Sequence, residues 1–236
     1  MALTPAARDR PVSDTIFTTI VEEILTGRWP AGERTPSERE LAMAMQVNRH
    51  AVREALKRVQ QAGLVHTSQG GNSIVLDWRS QAGLDMLAAL ATVGVVPPIT
   101  ILGDLAVMRR VIGVDAARLC ALRADDEQLA AVAAAAAAYP ESGDLTALRD
   151  ADLTLWTAIL IGSGNLPYRL ALNTLVRSID DVGRDLFIHV NKVEFIDRQA
   201  HLDLATAITN RDADNAARLA DALLSQLVSV FQPDAG

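Results

Sequence analysis

Residues 36–76 read PSERELAMAMQVNRHAVREALKRVQQAGLVHTSQGGNSIVL, and the order of elements in this stretch decides the fold. Ser37 followed three residues later by Glu40 makes a capping box, which opens a helix over 37–45 with Leu41, Ala42 and Met45 turned inward. Gln46 and Val47 form a tight connection, and Asn48 is a good N-cap for a further helix that runs to Ala62 and stops at Gly63. In that helix Val52, Ala55, Leu56 and Val59 share one face, while Arg49, Arg53 and Lys57 line another at i, i+4, i+8 with His50 beside Arg49. Residues 64–76 place β-branched side chains on both sides of a Gln-Gly-Gly-Asn turn, which predicts a hairpin. Upstream, Ile16, Ile20, Ile24 and Phe17, Val21, Leu25 recur every fourth residue and predict a helix over 13–26, closed by Gly27 and the WPAG turn. Helix, helix, turn, helix, hairpin is the order of a winged helix-turn-helix.

The charge follows the same division. The chain of 236 residues carries a formal net charge of -7, yet residues 1–76 hold nine Lys/Arg against eight Asp/Glu, and residues 77–236 hold 13 against 21. A helix N-terminus already bears positive partial charge, so arginines placed there destabilise it unless an anion sits opposite. A recognition helix enters a major groove by that end, and arginine grips guanine O6 and N7 with two hydrogen bonds. A solvated basic face explains a stripe alone. A stripe between a capped helix and a glycine-tipped hairpin points to nucleic acid, with Gln69 reaching a groove and Gly70 bringing backbone to the phosphates.

Beyond Trp78 the pattern is helical throughout, over about 81–93, 101–123, 126–138, 145–162, 166–190, 194–210 and 213–230. Residues 1–78 are therefore expected to form a DNA-binding domain and 79–236 an all-α bundle, a mostly α protein with one small β-hairpin. The apolar run between Met86 and Gly103 is broken by Pro97-Pro98, which argues against a membrane span, and no signal peptide is visible at the N-terminus. With Cys120 as its one cysteine, the chain is expected to work in the cytoplasm. No nucleophile–base motif, phosphate loop, HExxH or CxxC occurs, so an enzyme is not expected, nor a cofactor.

The stretch 27–65, GRWPAGERTPSERELAMAMQVNRHAVREALKRVQQAGLV, closely resembles the winged-helix domain of the GntR family of bacterial transcription regulators. It departs at Thr35, where leucine is usual, and at Asn48, where serine is usual. The resemblance implies operator binding through Arg39, Asn48, Arg49 and Arg53, with Gln69 and Gly70 at the wing tip and His50 tuning operator choice. The remainder is similar to the effector domain of the FadR subfamily, through LAVMRRV around Arg109, DADLTLWTAILIGSGN (150–165) and QAHLDLATAITNRDADNAARLADAL (199–223). That implies a homodimer on a palindromic operator, with a small carboxylate or an acyl-CoA as effector.

Many members of the subfamily hold a divalent metal with one aspartate and three histidines. Here Asp152 and His201 fall at two of those positions, but Trp156 and Leu223 replace the other two histidines, so no metal is expected. The exchange enlarges the apolar lining and is similar to the acyl-CoA-responsive branch, so a fatty acyl-CoA or fatty acid is the first expectation and a small organic carboxylate the second. Candidate effector residues are Arg109, Asp152, Trp156, Arg184, His201, Leu223 and Ser225, with Arg109 and Arg184 as cations for phosphates. Arg109 equally suits a salt bridge, and His201 a hydrogen-bonded core position.

Overall fold

Ile16, Ile20 and Ile24 are all buried, so the first helix, α1 (Val12–Leu25), presents one apolar face to its neighbours. A computed structural model of the protein describes residues 12–67 and 73–231. The chain divides into two units, Met1–Pro97 and Pro98–Gly236.

In the first unit the capping box forms as read. Ser37 Oγ accepts from the Glu40 amide at 3.3 Å, and Glu40 Oε2 accepts from the Ser37 amide at 2.8 Å, starting α2 (Glu38–Ala44). Gln46 takes a left-handed φ of 55°, which turns the chain sharply between α2 and α3 (Arg49–Gln61). Asn48 caps α3 by accepting from the Ala51 amide at 2.8 Å. Val52, Ala55 and Val59 are fully buried against α1, whereas Leu56 is only half-buried. Gly63, at φ 72°, ends α3 where a Cβ would come within 3.0 Å of the Gln81 carbonyl oxygen. Strands β1 (Val65–Thr67) and β2 (Ser73–Val75) then pair antiparallel, with Val65 opposite Val75. The segment before α2 joins their edge: the Thr35 amide donates to the Ser73 carbonyl and the Val75 amide to the Glu33 carbonyl, each at 2.8 Å. Thr35, the departure from the family pattern, is buried there. The expected wing tip, Gln69 and Gly70, lies outside the described residues.

The helix expected over 81–93 is three short pieces instead. Asp77 caps α4 (Trp78–Gln81), a 3-10 turn covers Leu84–Met86, and α5 (Leu87–Val93) ends at Gly94 with φ 77°. The break falls at Ala82, whose extended backbone no helical periodicity reveals.

The second unit is a bundle around a long helix, α6 (Pro98–Arg123), which packs along α12 (Ala213–Phe231). It starts three residues earlier than expected because Pro98 suits a first helical position. Between α6 and α12 come α7 (Asp126–Ala137), α8 (Leu145–Gly162), α9 (Leu166–Val190), α10 (Lys192–Ile196) and α11 (Arg198–Thr209). The expected single helix over 194–210 is interrupted at Asp197, whose side chain caps α11 by accepting from the Ala200 amide. Close approach of α6 and α8 requires Gly162, where a Cβ would run into Cys120 Sγ. Burial pushes the Cys120 thiol up to about 11, so it is an inert core group. Among the described residues, no helix is long and apolar enough to cross a membrane.

Replacing Ser37 with alanine removes the capping box. The expected loss is about 1 kcal/mol of stability in the first unit, measured by urea unfolding with Trp29 and Trp78 as probes.

Candidate functional site

Two groups of residues carry chemistry, one in each unit. On α3, the guanidinium of Arg53 is not free: it grips Glu38 of α2 with Nε at 3.0 Å and Nη2 at 2.9 Å. That hydrogen bond holds the Glu38 carboxyl below the usual range, although its burial opposes this. Lys57 pairs with Glu54 at 2.9 Å. Arg58 is anchored to Asp14 and lies over the Phe17 ring, 4.4 Å from its centroid. Arg39, Arg49 and His50 remain exposed, with no ion pair among the described residues, so the open positive surface sits at the start of α3. Asn48 spends its side-chain oxygen on the cap.

In the second unit, α6, α8, α10 and α11 converge on four buried charges. Arg109 on α6 donates to Glu194 of α10 through Nη1 at 2.8 Å and Nη2 at 2.5 Å, and to Asp152 of α8 at 3.2 Å. His201 on α11 faces acceptors with both ring nitrogens: Nδ1 lies 2.7 Å from the Asp197 carbonyl and Nε2 3.2 Å from Asp152 Oδ1. A carbonyl and a carboxylate can only accept, so the ring is protonated when both bonds form. Burial is the largest single influence and opposes that charge, but the hydrogen bond to Asp152, the Asp152 charge, the bond to the Asp197 carbonyl and Glu194 together outweigh it, so the His201 pKa is raised. Burial also raises the Glu194 carboxyl, against the pull of Arg109. For Arg109, burial works against the charged form and Glu194 and Asp152 more than compensate, so its pKa is raised. Arg109 and His201 thus face the carboxyl groups of Glu194 and Asp152. Tyr139 stacks on His201 at 4.3 Å and donates its hydroxyl to the Phe195 carbonyl at 2.9 Å.

Beside this network lies a cavity of about 60 Å³ between α6, α8 and α9, with Arg109, Arg149 and Asp152 at its polar part. The rest of its wall is apolar, including Trp156, Leu172, Phe187, Phe195 and Leu224. Arg149 is itself paired with Asp180 at 2.6 Å. Gly113 completes the wall because a Cβ there would collide with Leu224 and the Trp156 ring. The Trp156 indole N–H is buried without an acceptor among the described residues, a deficit of about 1–3 kcal/mol. Arg109, Asp152, Trp156 and His201 are thus brought together. Leu223 is buried in the core beside them, while its neighbour Leu224 faces the cavity. Arg184 stands half-exposed 3.7 Å from Asp180, and Ser225 sits half-buried on α12; neither lines the cavity.

Comparison with known proteins agrees with both halves. Residues 12–75 match the family described as bacterial regulatory proteins, gntR family, and residues 104–226 match the FCD domain. The chain belongs to the gntR family and carries an FCD domain. Among its relatives, the HTH-type transcriptional regulator Mce2R of Mycobacterium tuberculosis is 51% identical over 90 residues, which is 38% of this chain and 37% of that protein. This chain therefore matches little more than a third of that relative's length. The fatty acid metabolism regulator protein of Edwardsiella ictaluri is 29% identical over 168 residues, 71% of this chain and 69% of that protein. The solved structure of Lar, described as controlling expression of the Listeria monocytogenes agr system, is 12% identical with a TM-score of 0.56, covering 97% of this chain and all of that one. It shares the fold.

Within the FCD domain the expectation of no metal rested on two donors, but the structure supplies a third. Asp152, Glu194 and His201 offer atoms within 4.8 Å of one another. These donors do not suit a resident divalent ion, because Arg109 already takes both carboxylates and the His201 Nε2 points its proton at Asp152. Glu194 escaped the sequence reading because it sits on a five-residue helix and is joined to Arg109 only by the tertiary fold, 85 residues apart.

The network has a pH signature. A histidine whose folded pKa is raised stabilises fully below the unfolded value of 6.5, and that contribution is lost as pH rises through the folded value. The raised Glu194 acts with the same sign from 4.5 upward. Thermal unfolding of the FCD unit is expected to shift to lower Tm as pH rises above 6.5. His201→Gln is expected to lower Tm at pH 6 and flatten that slope; an unchanged slope refutes the imidazolium.

Proposed function

We propose that the protein is a ligand-responsive transcription regulator. As a homodimer it binds a palindromic operator, and a fatty acid or fatty acyl-CoA held in the FCD unit changes its DNA affinity. Residues 1–78 serve as the DNA-binding part and 79–236 as the effector and dimerisation part, working in the cytoplasm beside the DNA. It is a regulator rather than an enzyme, needs no cofactor, and does not engage a membrane. The observation that carries the ligand reading is the cavity wall, apolar except at its arginine-bearing part. The relatives named as fatty acid metabolism regulators support it.

The size of the cavity sets a condition. Sites for drug-sized ligands span about 300–1,000 Å³, so 60 Å³ must widen before a long chain fits. Helix α9, which supplies Leu172, Leu175, Val176 and Ile179 to the wall, is interrupted by non-helical backbone at Gly183 and supplies the place to bend. A small organic carboxylate is the second reading, favoured by that same small volume.

On the DNA side, Arg39, Arg49 and His50 are available for bases and phosphates, whereas Arg53 must exchange Glu38 for DNA. Arg49→Ala is expected to weaken a footprinted operator by about 1–3 kcal/mol, and Arg53→Ala by a similar amount; binding unaffected by both excludes α3 as the recognition helix. For the effector, palmitoyl-CoA, palmitate and citrate are titrated into the protein–operator complex and followed by anisotropy. Allosteric coupling is typically about 5–150-fold. A change of that order with palmitoyl-CoA or palmitate supports the acyl reading; a response to citrate alone replaces it with the carboxylate reading.

A further inference from the structure

Arg109 and Arg184, expected to hold an effector's anionic head, already stand against carboxylates, and so does Arg149 at the cavity. Arg109 is bound by Glu194 and Asp152, Arg149 by Asp180, and Arg184 stands against the same Asp180. On the outer side of α8 and α9 the situation differs. A groove of about 340 Å³ runs there, lined by Leu153, Thr157, Leu172, Val176, Arg169 and Arg177, with Asn173 on its floor and no carboxylate in its lining. Arg169 has no ion pair among the described residues. Among the described residues, Arg177 uses only Nε, donating to the Asn173 carbonyl at 3.3 Å, and its terminal nitrogens have no hydrogen bond or ion pair. In a chain of net charge -7, a groove lined by two arginines and no carboxylate is a local excess of positive charge.

The groove also touches the buried cavity. Leu153, Leu172 and Val176 line both spaces, so one layer of aliphatic side chains separates the outer cations from the apolar interior. None of the three is fully buried, and no polar bond fixes them in place.

We infer that the groove between α8 and α9 is the mouth of the effector site, where Arg169 and Arg177 hold the phosphates of an acyl thioester whose chain passes between Leu153, Leu172 and Val176 into the cavity. This rests on the acyl-ligand reading above and adds the headgroup chemistry to it. Eight residues separate the arginines, about 12 Å along the helix axis. That span suits separate phosphate groups on one extended headgroup better than a single small anion. Guanidinium forks bind phosphate oxygens with two parallel bonds, which selects phosphate over a thioester carbonyl. Inside, the unpartnered Trp156 N–H is a donor for the one polar atom, the thioester or carboxyl oxygen, that follows the chain inward.

The test compares two ligands that share the chain and differ in the head. Full-length protein and the R169Q/R177Q double variant are titrated with palmitoyl-CoA and with palmitate by calorimetry, circular dichroism confirming the fold. R184Q serves as a control for a cation with an acidic neighbour. The double variant is expected to lose palmitoyl-CoA affinity at least tenfold, to keep palmitate affinity within about twofold, and to lose the salt dependence of palmitoyl-CoA binding. R184Q is expected to change neither. If the double variant binds palmitoyl-CoA as the parent does, or weakens both ligands equally, the headgroup site is overturned while the acyl reading stands. If the parent protein binds neither ligand, the acyl reading falls and this site falls with it.

Discussion

The FCD unit is organised around one electrostatic fact: Arg109, Glu194, Asp152 and His201 bring two basic and two acidic side chains together in an interior where the last three are buried and Arg109 nearly so. Each charge alone would be prohibitive in that setting, since removing one partner of a buried pair costs about 3–5 kcal/mol. Together they tie α6, α8, α10 and α11 at one point, because each helix contributes a single member. The short α10 buries Phe195 but leaves Val193 and Ile196 exposed. Its position beside the cavity is set by Glu194 and by Phe195, whose carbonyl accepts the Tyr139 hydroxyl.

A contrasting pair operates in the first unit. Arg53 and Glu38 meet with good fork geometry but stay exposed, and such surface pairs are worth about 0.2–1 kcal/mol. A contact this weak orients the arginine without locking it, as the proposed exchange onto DNA requires. The strong network holds a cavity in shape; the weak pair holds a side chain ready for exchange. Both follow from how far each carboxylate has left water.

This difference also explains what the sequence disclosed. Features written in neighbouring residues were legible: the Ser37–Glu40 box, the Asn48 cap, the Gly63 stop, and the alternation flanking the hairpin all depend on contacts within a few positions. The same local logic failed at Ala82 and Asp197, where apolar periodicity continued through points at which the backbone leaves the helix. The candidate site was half legible. Asp152, Trp156 and His201 could be placed by resemblance, but the pairing of Glu194 with Arg109 and of Glu38 with Arg53 depends on tertiary approach, which periodicity does not encode. Arg184 was chosen for its charge alone, and its proximity to Asp180 was invisible until α9 was folded.

Under the proposed function, a long apolar chain repays the opening of the cavity better than a small anion does. Widening the cavity separates aliphatic side chains of α8 and α9, and each lost contact must be replaced. Burial of a methylene contributes about 0.8 kcal/mol, so a chain of about a dozen methylenes supplies on the order of 10 kcal/mol. Coupling to DNA needs only about 1–3 kcal/mol of that, which leaves the larger part to drive the helices apart. A small carboxylate brings no such reserve, and its charge would meet Asp152 as well as Arg109. With the internal arginines already paired, the proposed function leaves discrimination by charge to cations outside the wall.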